Sequence, residues 1–145
     1  MLALALAPFT AMAADNHVAV SPDQLSWKGP PYMPQGAQFT VVAGDPGKEG
    51  LYVIRLKVPA GYKVPPHNPS VRRERHGHLG SFNIGMGAQF DDKKGQSVKV
   101  GGFAQAPKGM QHYALFTEDT IIQIHGMGPQ GLTYVNPADD PRKSN

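Results

Sequence analysis

Short stretches in which apolar and polar residues alternate recur along this chain, with turn residues between them. In residues 51–58 every even-numbered position is tyrosine, isoleucine, leucine or valine, whereas the odd-numbered positions include arginine and lysine. A period of two places the apolar side chains on one face, so this stretch predicts a half-buried β-strand. Shorter signals predict further strands at residues 38–43, 81–87, 98–100, 102–106, 113–116, 120–125 and 132–135.

The residues between these stretches indicate the fold class. The chain of 145 residues contains 17 glycines and 14 prolines, and no window carries a helical stripe of apolar residues. Dense turns disfavour a helical bundle, and one domain is expected at this length. Many short strands separated by frequent turns are typical of a sandwich or small barrel. We therefore predict an all-β fold, a single small β-barrel or jelly roll, whose interior holds side chains or one small ligand.

The two ends of the chain differ from its middle. Residues 1–13 carry no charge and end in Ala-Met-Ala, which predicts a secretory signal peptide and a periplasmic or secreted protein. The alternative is a packed or lipid-embedded N-terminal helix, but the apolar run is too short to span a bilayer and Pro8 interrupts it. We expect an extended N-terminal arm at residues 14–38, the barrel at residues 39–137 and a polar tail at residues 138–145, with no stable membrane association.

The charge of the chain does not indicate a nucleic-acid partner. The formal net charge is +3, and Arg72, Arg73 and Arg75 lie within four residues of one another. A nucleic-acid-binding protein would spread its basic residues over a face, with aromatic residues among them. The chain has no cysteine. This excludes disulfides, thiolate catalysis and cysteine-based zinc sites.

Two glycine- and proline-rich segments each end in a histidine. Residues 61–67 read GYKVPPH, and residues 101–112 read GGFAQAPKGMQH. Glycine and proline set sharp strand ends, and a histidine fixed at such an end can offer a ring nitrogen to a metal. We predict that folding brings His67 and His112 into one cavity, near enough to share an ion.

These segments resemble the two motifs of the cupin superfamily, and in particular those of small bacterial exported cupin-domain proteins. The first cupin motif has the form G-x5-H-x-H-x(3,4)-E-x6-G, and the second has the form G-x5-P-x-G-x2-H-x3-N. Phe116 stands at the final asparagine position of the second motif. The resemblance implies a β-barrel that binds one divalent metal, iron, manganese, zinc or nickel, through three imidazoles and a carboxylate. The matching residues are Gly61, His67 and Gly80 in the first motif, and Gly101, Pro107, Gly109 and His112 in the second.

The first motif is incomplete. Its second histidine would fall at Pro69, which cannot bind a metal, and its carboxylate would fall at Arg73. Glu74 is the neighbouring acid, so we take His67, His112 and Glu74 as the candidate metal ligands. A shift of one residue on a strand reverses the face of a side chain, so Glu74 would need a β-bulge to reach the site. The alternatives, His76 and His78, would share one face of a strand.

Residues 68–80 are polar and basic where a barrel strand should alternate. One hypothesis is that paired frame shifts in the gene or in its sequencing produced this segment. A possible set of codons for the segment, read one base later, encodes T-H-P-S-D-E-N-V-T-V-I-S before the glycine. That string restores the missing histidine and glutamate of the first motif, and nucleotide sequencing tests it.

Other residues are candidates for the wall of the pocket. Gln123 and His125 share one face of a predicted strand, and the equivalent pair is pocket-lining in proteins that the chain resembles; the alternative for His125 is a core histidine with satisfied hydrogen bonds. We expect Tyr113 and Phe116 to wall the pocket. Met86 is either a further pocket residue or a filler of core gaps.

Two functions fit these observations, and no catalytic residue can be named for either. The first is a metal-dependent enzyme, oxygenase- or isomerase-like, acting on a small molecule. The second is a non-catalytic cupin that binds a small ligand with a weak or absent metal site. Metal analysis of the purified protein distinguishes them. Since cupins often pair through an exchanged N-terminal strand, we also expect a homodimer.

Overall fold

A computed structural model describes residues 17–143 of this chain. The predicted signal peptide at residues 1–13 lies outside the described residues. No helix within the described part is long and apolar enough to cross a membrane.

Ten strands form two five-stranded antiparallel sheets, which confirms the predicted all-β jelly roll. The order in the first sheet is β1-β2-β9-β4-β7, and in the second it is β10-β3-β8-β5-β6. Three 3-10 turns, Pro22–Gln24, Pro137–Asp139 and Pro141–Lys143, are the helical elements of residues 17–143. The strands are β1 Gln38–Ala43, β2 Gly50–Val58, β3 Lys63–Pro69, β4 Arg73–Leu79, β5 Phe82–Met86, β6 Gln96–Val98, β7 Phe103–Ala106, β8 His112–Leu115, β9 Thr120–Gly128 and β10 Leu132–Tyr134.

The hydrophobic core lies between the two sheets because the central strands of each sheet alternate. On β2 and β9 every second side chain is buried, and Ile54 of β2 lies opposite Ile124 of β9 in the register. From the other sheet, β5 contributes Phe82, and Phe116 follows directly after β8; their rings stack with centroids 5.7 Å apart. The apolar positions of the alternating stretches are thus the side chains that face inward.

Strands β3 and β4 have no counterpart among the predicted strands, and they carry three of the four basic or imidazole side chains that line the interior cavity. β3 contains three prolines and pairs with β8 and β10, with a shift of register between Val64 and His67. β4 lies between β9 and β7, so its backbone is paired on both sides. At its end Gly80 has a φ of +69°, and a Cβ there would lie 2.5 Å from the carbonyl oxygen of Asp119. Only glycine fits that turn.

The N-terminal arm packs against the domain from which it comes. Lys28 and Phe39 exchange two backbone hydrogen bonds of 3.0 and 2.8 Å. The Nζ of Lys57 lies 4.5 Å from the centroid of the Trp27 ring, and the hydroxyl of Tyr62 donates to the carbonyl of Pro34. These contacts fix the arm against the edge of the first sheet and over one end of the interior.

Candidate ligand-binding cavity

A cavity of about 50 Å³ lies between the two sheets. At about 10–15 Å³ for each water, it has room for about four water molecules or for a comparably small ligand. Four of its lining residues are basic or imidazole side chains, and most of the wall is aliphatic or aromatic. The apolar residues include Ile54, Leu56, Phe82, Phe116, Ile122 and Ile124.

The two motif histidines meet in this cavity. His67 on β3 and His112 on β8 are directly opposite in the register, and their ring centroids are 4.2 Å apart. The Nδ1 of His67 lies 2.8 Å from the carbonyl oxygen of Pro65, and that of His112 lies 2.9 Å from that of Met110. Because a carbonyl can only accept, each Nδ1 carries the proton, and each Nε2 keeps a lone pair that can accept a hydrogen bond.

Both imidazoles are neutral at neutral pH. Burial lowers the pKa of His67 to about 2, with further lowering by the neighbouring His112 and by the arginines. Burial and the positive charge of Arg75 lower the pKa of His112 to about 4. A neutral histidine with a fixed tautomer is a good acceptor of a hydrogen bond and a possible metal ligand.

Two arginines enter the same cavity from β4. Arg73 and Arg75 are 6% and 7% exposed, and both line the cavity wall. The Nη2 of Arg75 donates to the Nε2 of His112 at 2.9 Å, and the Nη2 of Arg73 donates to the carbonyl oxygen of Gly131. The Nε of Arg73 and the Nη1 of Arg75 are buried and have no hydrogen-bond partner among residues 17–143.

The arginines stay charged, although no carboxylate of the described chain lines the cavity. Burial lowers the pKa of Arg75 to about 10, and burial also lowers the pKa of Arg73. A guanidinium begins from a very high pKa and keeps its proton in proteins, so both side chains stay charged at neutral pH. The cavity therefore holds two buried positive charges beside two neutral imidazoles.

No model of a protein family matches this sequence, and no curated protein matches it. Solved structures resemble it at low sequence identity. An acetylacetone dioxygenase from Acinetobacter johnsonii is 12% identical, with a TM-score of 0.67 over 94% of this chain and 88% of that chain. The polyketide cyclase RemF from Streptomyces resistomycificus is 15% identical, with a TM-score of 0.69 over 88% and 92%. An RmlC-like cupin protein from Ralstonia eutropha JMP134 is 19% identical, with a TM-score of 0.63 over 86% and 76%.

The chain has the cupin fold. The identities are too low to transfer the chemistry of any of these proteins, because a fold hosts many functions.

The residues of the cavity do not fit the metal that the resemblance implies. His67 and His112 occupy two of the ligand positions, but the other two hold Pro69 and Arg73. The guanidinium of Arg75 already donates to the Nε2 of His112 that a metal would bind. A divalent cation would also face two buried positive charges. Within residues 17–143, no group of three or more histidine, cysteine or acidic side chains could hold an ion.

Glu74 does not complete a metal site with the two histidines. β4 alternates without a bulge between residues 73 and 77, so Arg73 and Arg75 point inward and Glu74 points outward. The carboxylate of Glu74 accepts from Arg72 at 2.9 Å and from Gln105 at 3.2 Å on the outer face. The expected set of His67, His112 and Glu74 is therefore not one site.

Gln123 and His125 also lie on the outer face of the first sheet. β9 buries Ile122 and Ile124, which reverses the face that was expected for the pocket. His125 stacks on His76 with centroids 5.1 Å apart, and its Nε2 is 3.8 Å from the carboxylate of Glu74. Neither the pocket role nor the core role expected for His125 fits this position.

The remaining candidates divide between the two faces of the second sheet. Phe116 lines the cavity, as does Ala114. Tyr113 is buried on the opposite face, where it packs on Phe90 with centroids 4.8 Å apart. Met86 is 54% exposed and neither lines the cavity nor fills a core gap. His78 is exposed at the end of β4.

Sequence reasoning missed Arg73 and Arg75 as residues of the cavity. The sequence contains a signal for this placement. Arg73, Arg75 and Gly77 are spaced two residues apart, which is the spacing of side chains on one face of a strand. Charged residues seldom face a core, so these arginines were not expected to point into the interior.

Proposed function

We propose that this cupin binds one small, mainly apolar molecule in the cavity between its sheets and does so without a metal ion. One observation carries the proposal: two neutral imidazoles and two guanidinium groups meet in an otherwise apolar cavity, with the guanidinium of Arg75 on the lone pair of His112. A concave apolar site with a few convergent polar groups is the usual form of a small-ligand site.

Metal analysis tests the absence of a bound ion. The protein is incubated with iron(II), manganese(II), zinc(II) and nickel(II) in turn, dialysed, and analysed for metal per chain. We expect no stoichiometric metal, because each candidate ion would have to displace Arg75 and would bind only two protein ligands. One ion per chain would overturn this part of the proposal.

Cavity filling tests the binding of a small molecule. Propionate, propionamide and 1-propanol each have about the size that the cavity admits, and thermal denaturation or NMR titration reports their binding. We expect at least one probe to bind to the unmodified protein and none to bind to Ala114→Leu, whose larger side chain enters the cavity. Ala88→Leu, at an exposed position after β5, is the matched control and should bind normally. Equal binding to all three proteins, or no binding at all, would contradict the proposal.

A second candidate function is a metal-dependent enzyme on a small molecule. Supporting it, the backbone carbonyls of Pro65 and Met110 orient both imidazoles as supporting groups do in metal sites. The acetylacetone dioxygenase and the polyketide cyclase among the similar structures also support it. This candidate requires ligands at positions 69 and 73, and the frame-shift hypothesis for residues 68–80 would supply them. Sequencing of the gene across this segment tests that condition.

A further inference from the structure

We propose that the molecule bound in the cavity carries a carboxylate, and that the guanidinium groups of Arg73 and Arg75 hold it. The inference rests on the proposed function, because it names the chemical class of the ligand for the same cavity. It requires a small monocarboxylate whose remaining atoms are apolar.

The two arginines are buried and only partly paired. Each is at least nine-tenths buried, and each has one donor that the chain satisfies, through Gly131 or His112. The Nε of Arg73 and the Nη1 of Arg75 stay buried and unpaired within the described residues. Buried charges and donors without partners are costly, and native proteins pair them. An anion in the cavity supplies the missing partners.

The acids near β4 are distributed unevenly between the two sides of the sheet. The nearest carboxylate along the strand, Glu74, lies on the other side of the sheet and accepts from Arg72, whose side chain is 63% exposed. The outer arginine is therefore paired by the chain, whereas the two inner arginines are not. Within residues 17–143 the inner pair has no carboxylate partner, and a ligand that enters the cavity would provide one.

The size and polarity of the cavity restrict the ligand further. About 50 Å³ holds about four water molecules, so the ligand has few non-hydrogen atoms. A carboxylate matches the planar donor pattern of arginine, and a short alkyl group matches the aliphatic wall. A phosphate dianion would present acceptor oxygens to side chains that cannot donate. The cavity thus favours a short-chain carboxylate over an inorganic anion.

Paired probes test the inference. Propionate and propionamide have nearly the same shape and differ in charge, and inorganic phosphate has charge without an apolar part. We expect propionate to bind about tenfold or more tightly than propionamide, since a hydrogen bond to a charged group contributes that much. Phosphate should bind more weakly than propionate. NMR titration of the unmodified protein at neutral pH measures all three.

Substitutions then assign the preference to residues. Arg73→Met and Arg75→Met remove the charge and keep most of the volume, so the fold should persist, which circular dichroism checks. Each should reduce the preference for propionate over propionamide to about onefold to threefold, whereas Arg75→Lys keeps the charge and should retain part of the preference. Arg72→Met, at an exposed arginine beside the same strand, is the matched control and should leave the preference unchanged.

Three outcomes would overturn the inference. They are equal affinity for propionate and propionamide, tighter binding of phosphate, and an unchanged preference in both methionine variants. Equal affinity for the two propionyl probes would leave the proposed function intact, because the cavity would still bind a small molecule that Ala114→Leu excludes. Failure of every probe to bind would overturn both.

Discussion

On β4, the direction of single side chains decides what the cavity can bind. Arg73 and Arg75 point inward and Glu74 points outward. The charged side chains that β4 places in the cavity are therefore all positive, although an acidic residue lies between them in the sequence. From the sequence, His67 and His112 could be placed in one cavity because turn residues and motif spacing fix both strand ends. Glu74 was misplaced because the direction of a side chain depends on the register of a strand that no pattern had predicted.

Removing a buried guanidinium should stabilise the free protein. Arg75→Met exchanges an uncompensated charge for an apolar side chain of similar length, and such exchanges are neutral or stabilising by about 1–3 kcal/mol. The midpoint of urea denaturation, measured without ligand, should therefore rise. Arg72→Met is exposed and should change the free energy of unfolding by less than about 0.5 kcal/mol. A fall in stability for Arg75→Met would mean that the guanidinium has favourable contacts beyond His112.

The stability of the protein should fall on mild acidification. The folded-state pKa values of His67 and His112 are about 2 and about 4, below the ordinary value of 6.5. Below about pH 6.5 the unfolded chain binds protons that the folded chain does not, so the free energy of unfolding falls by about 1.4 kcal/mol per pH unit for each histidine. The stabilisation is complete above pH 6.5; its loss ends near pH 4 for His112 and continues toward pH 2 for His67.

Urea denaturation between pH 7 and pH 5 measures this slope. His67→Asn should lower the slope by about half, since one of the two buried imidazoles is gone. His17→Gln, at an exposed position in the N-terminal arm, should leave it unchanged. A free energy of unfolding that does not vary over this range would show that the imidazoles are not buried as neutral groups.

Among the elements, the sequence pattern predicted the strands that bury apolar side chains and missed those that bury polar ones. β1 begins and ends where the pattern predicts, and β2 and β9 differ only at their ends. β3 was missed because prolines remove the donors expected of a paired strand, and β4 was missed because its inward residues are arginines. The alternation of β9 was predicted, but Gln123 and His125 were assigned to the wrong face. Which set of side chains faces inward depends on how β9 pairs with β2 and β4.

A pair of substitutions on β9 tests which face of the strand is inside. Ile122→Ala removes a side chain that is 2% exposed and lines the cavity, so it should destabilise the protein by about 2–4 kcal/mol. Ile121→Ala, one residue earlier and on the outer face, should cost about 1 kcal/mol or less. Chemical denaturation of both variants provides the comparison. A larger cost for Ile121→Ala would reverse the assignment of faces and return Gln123 and His125 to the interior.

The frame-shift hypothesis makes a prediction for β3 and β4. Read in the neighbouring frame, the segment introduces the changes Pro69→His, Arg73→Glu and Arg75→Val at three positions that the structure buries. A protein with these three substitutions should bind one divalent ion per chain, since the cavity gains an imidazole and a carboxylate and loses both cations. Metal analysis after dialysis measures this.

The matched control for this variant carries Pro69→His, Arg73→Val and Arg75→Val. It keeps Glu74 as the only acid nearby, and Glu74 faces outward, so it should bind the ion much more weakly. Equal metal content in the two variants would show that an inward carboxylate is not required. Absence of metal from both would remove the structural support for the frame-shift hypothesis.

At the scale of the whole molecule, strands that are distant in sequence build the cavity. β3, β4 and β8 contribute the polar residues, and the central strands of both sheets contribute the apolar wall. The fold class could be predicted because turn density and strand period are properties of the whole chain. The side chains that line the cavity could not be predicted, because a shift of one residue in the register of one strand changes which of them face inward. The homodimer and the periplasmic or secreted location stay predictions.

The anchoring of the two imidazoles has a consequence for how the ligand specificity of this cavity could change. Both Nδ1 atoms donate to main-chain oxygens two residues earlier on their own segments, and neither depends on a side chain of β4. Exchanging the inward residues of β4 would therefore leave the acceptor nitrogens where they are. On this fold, only a few substitutions would separate a cavity that binds anions from one that binds cations.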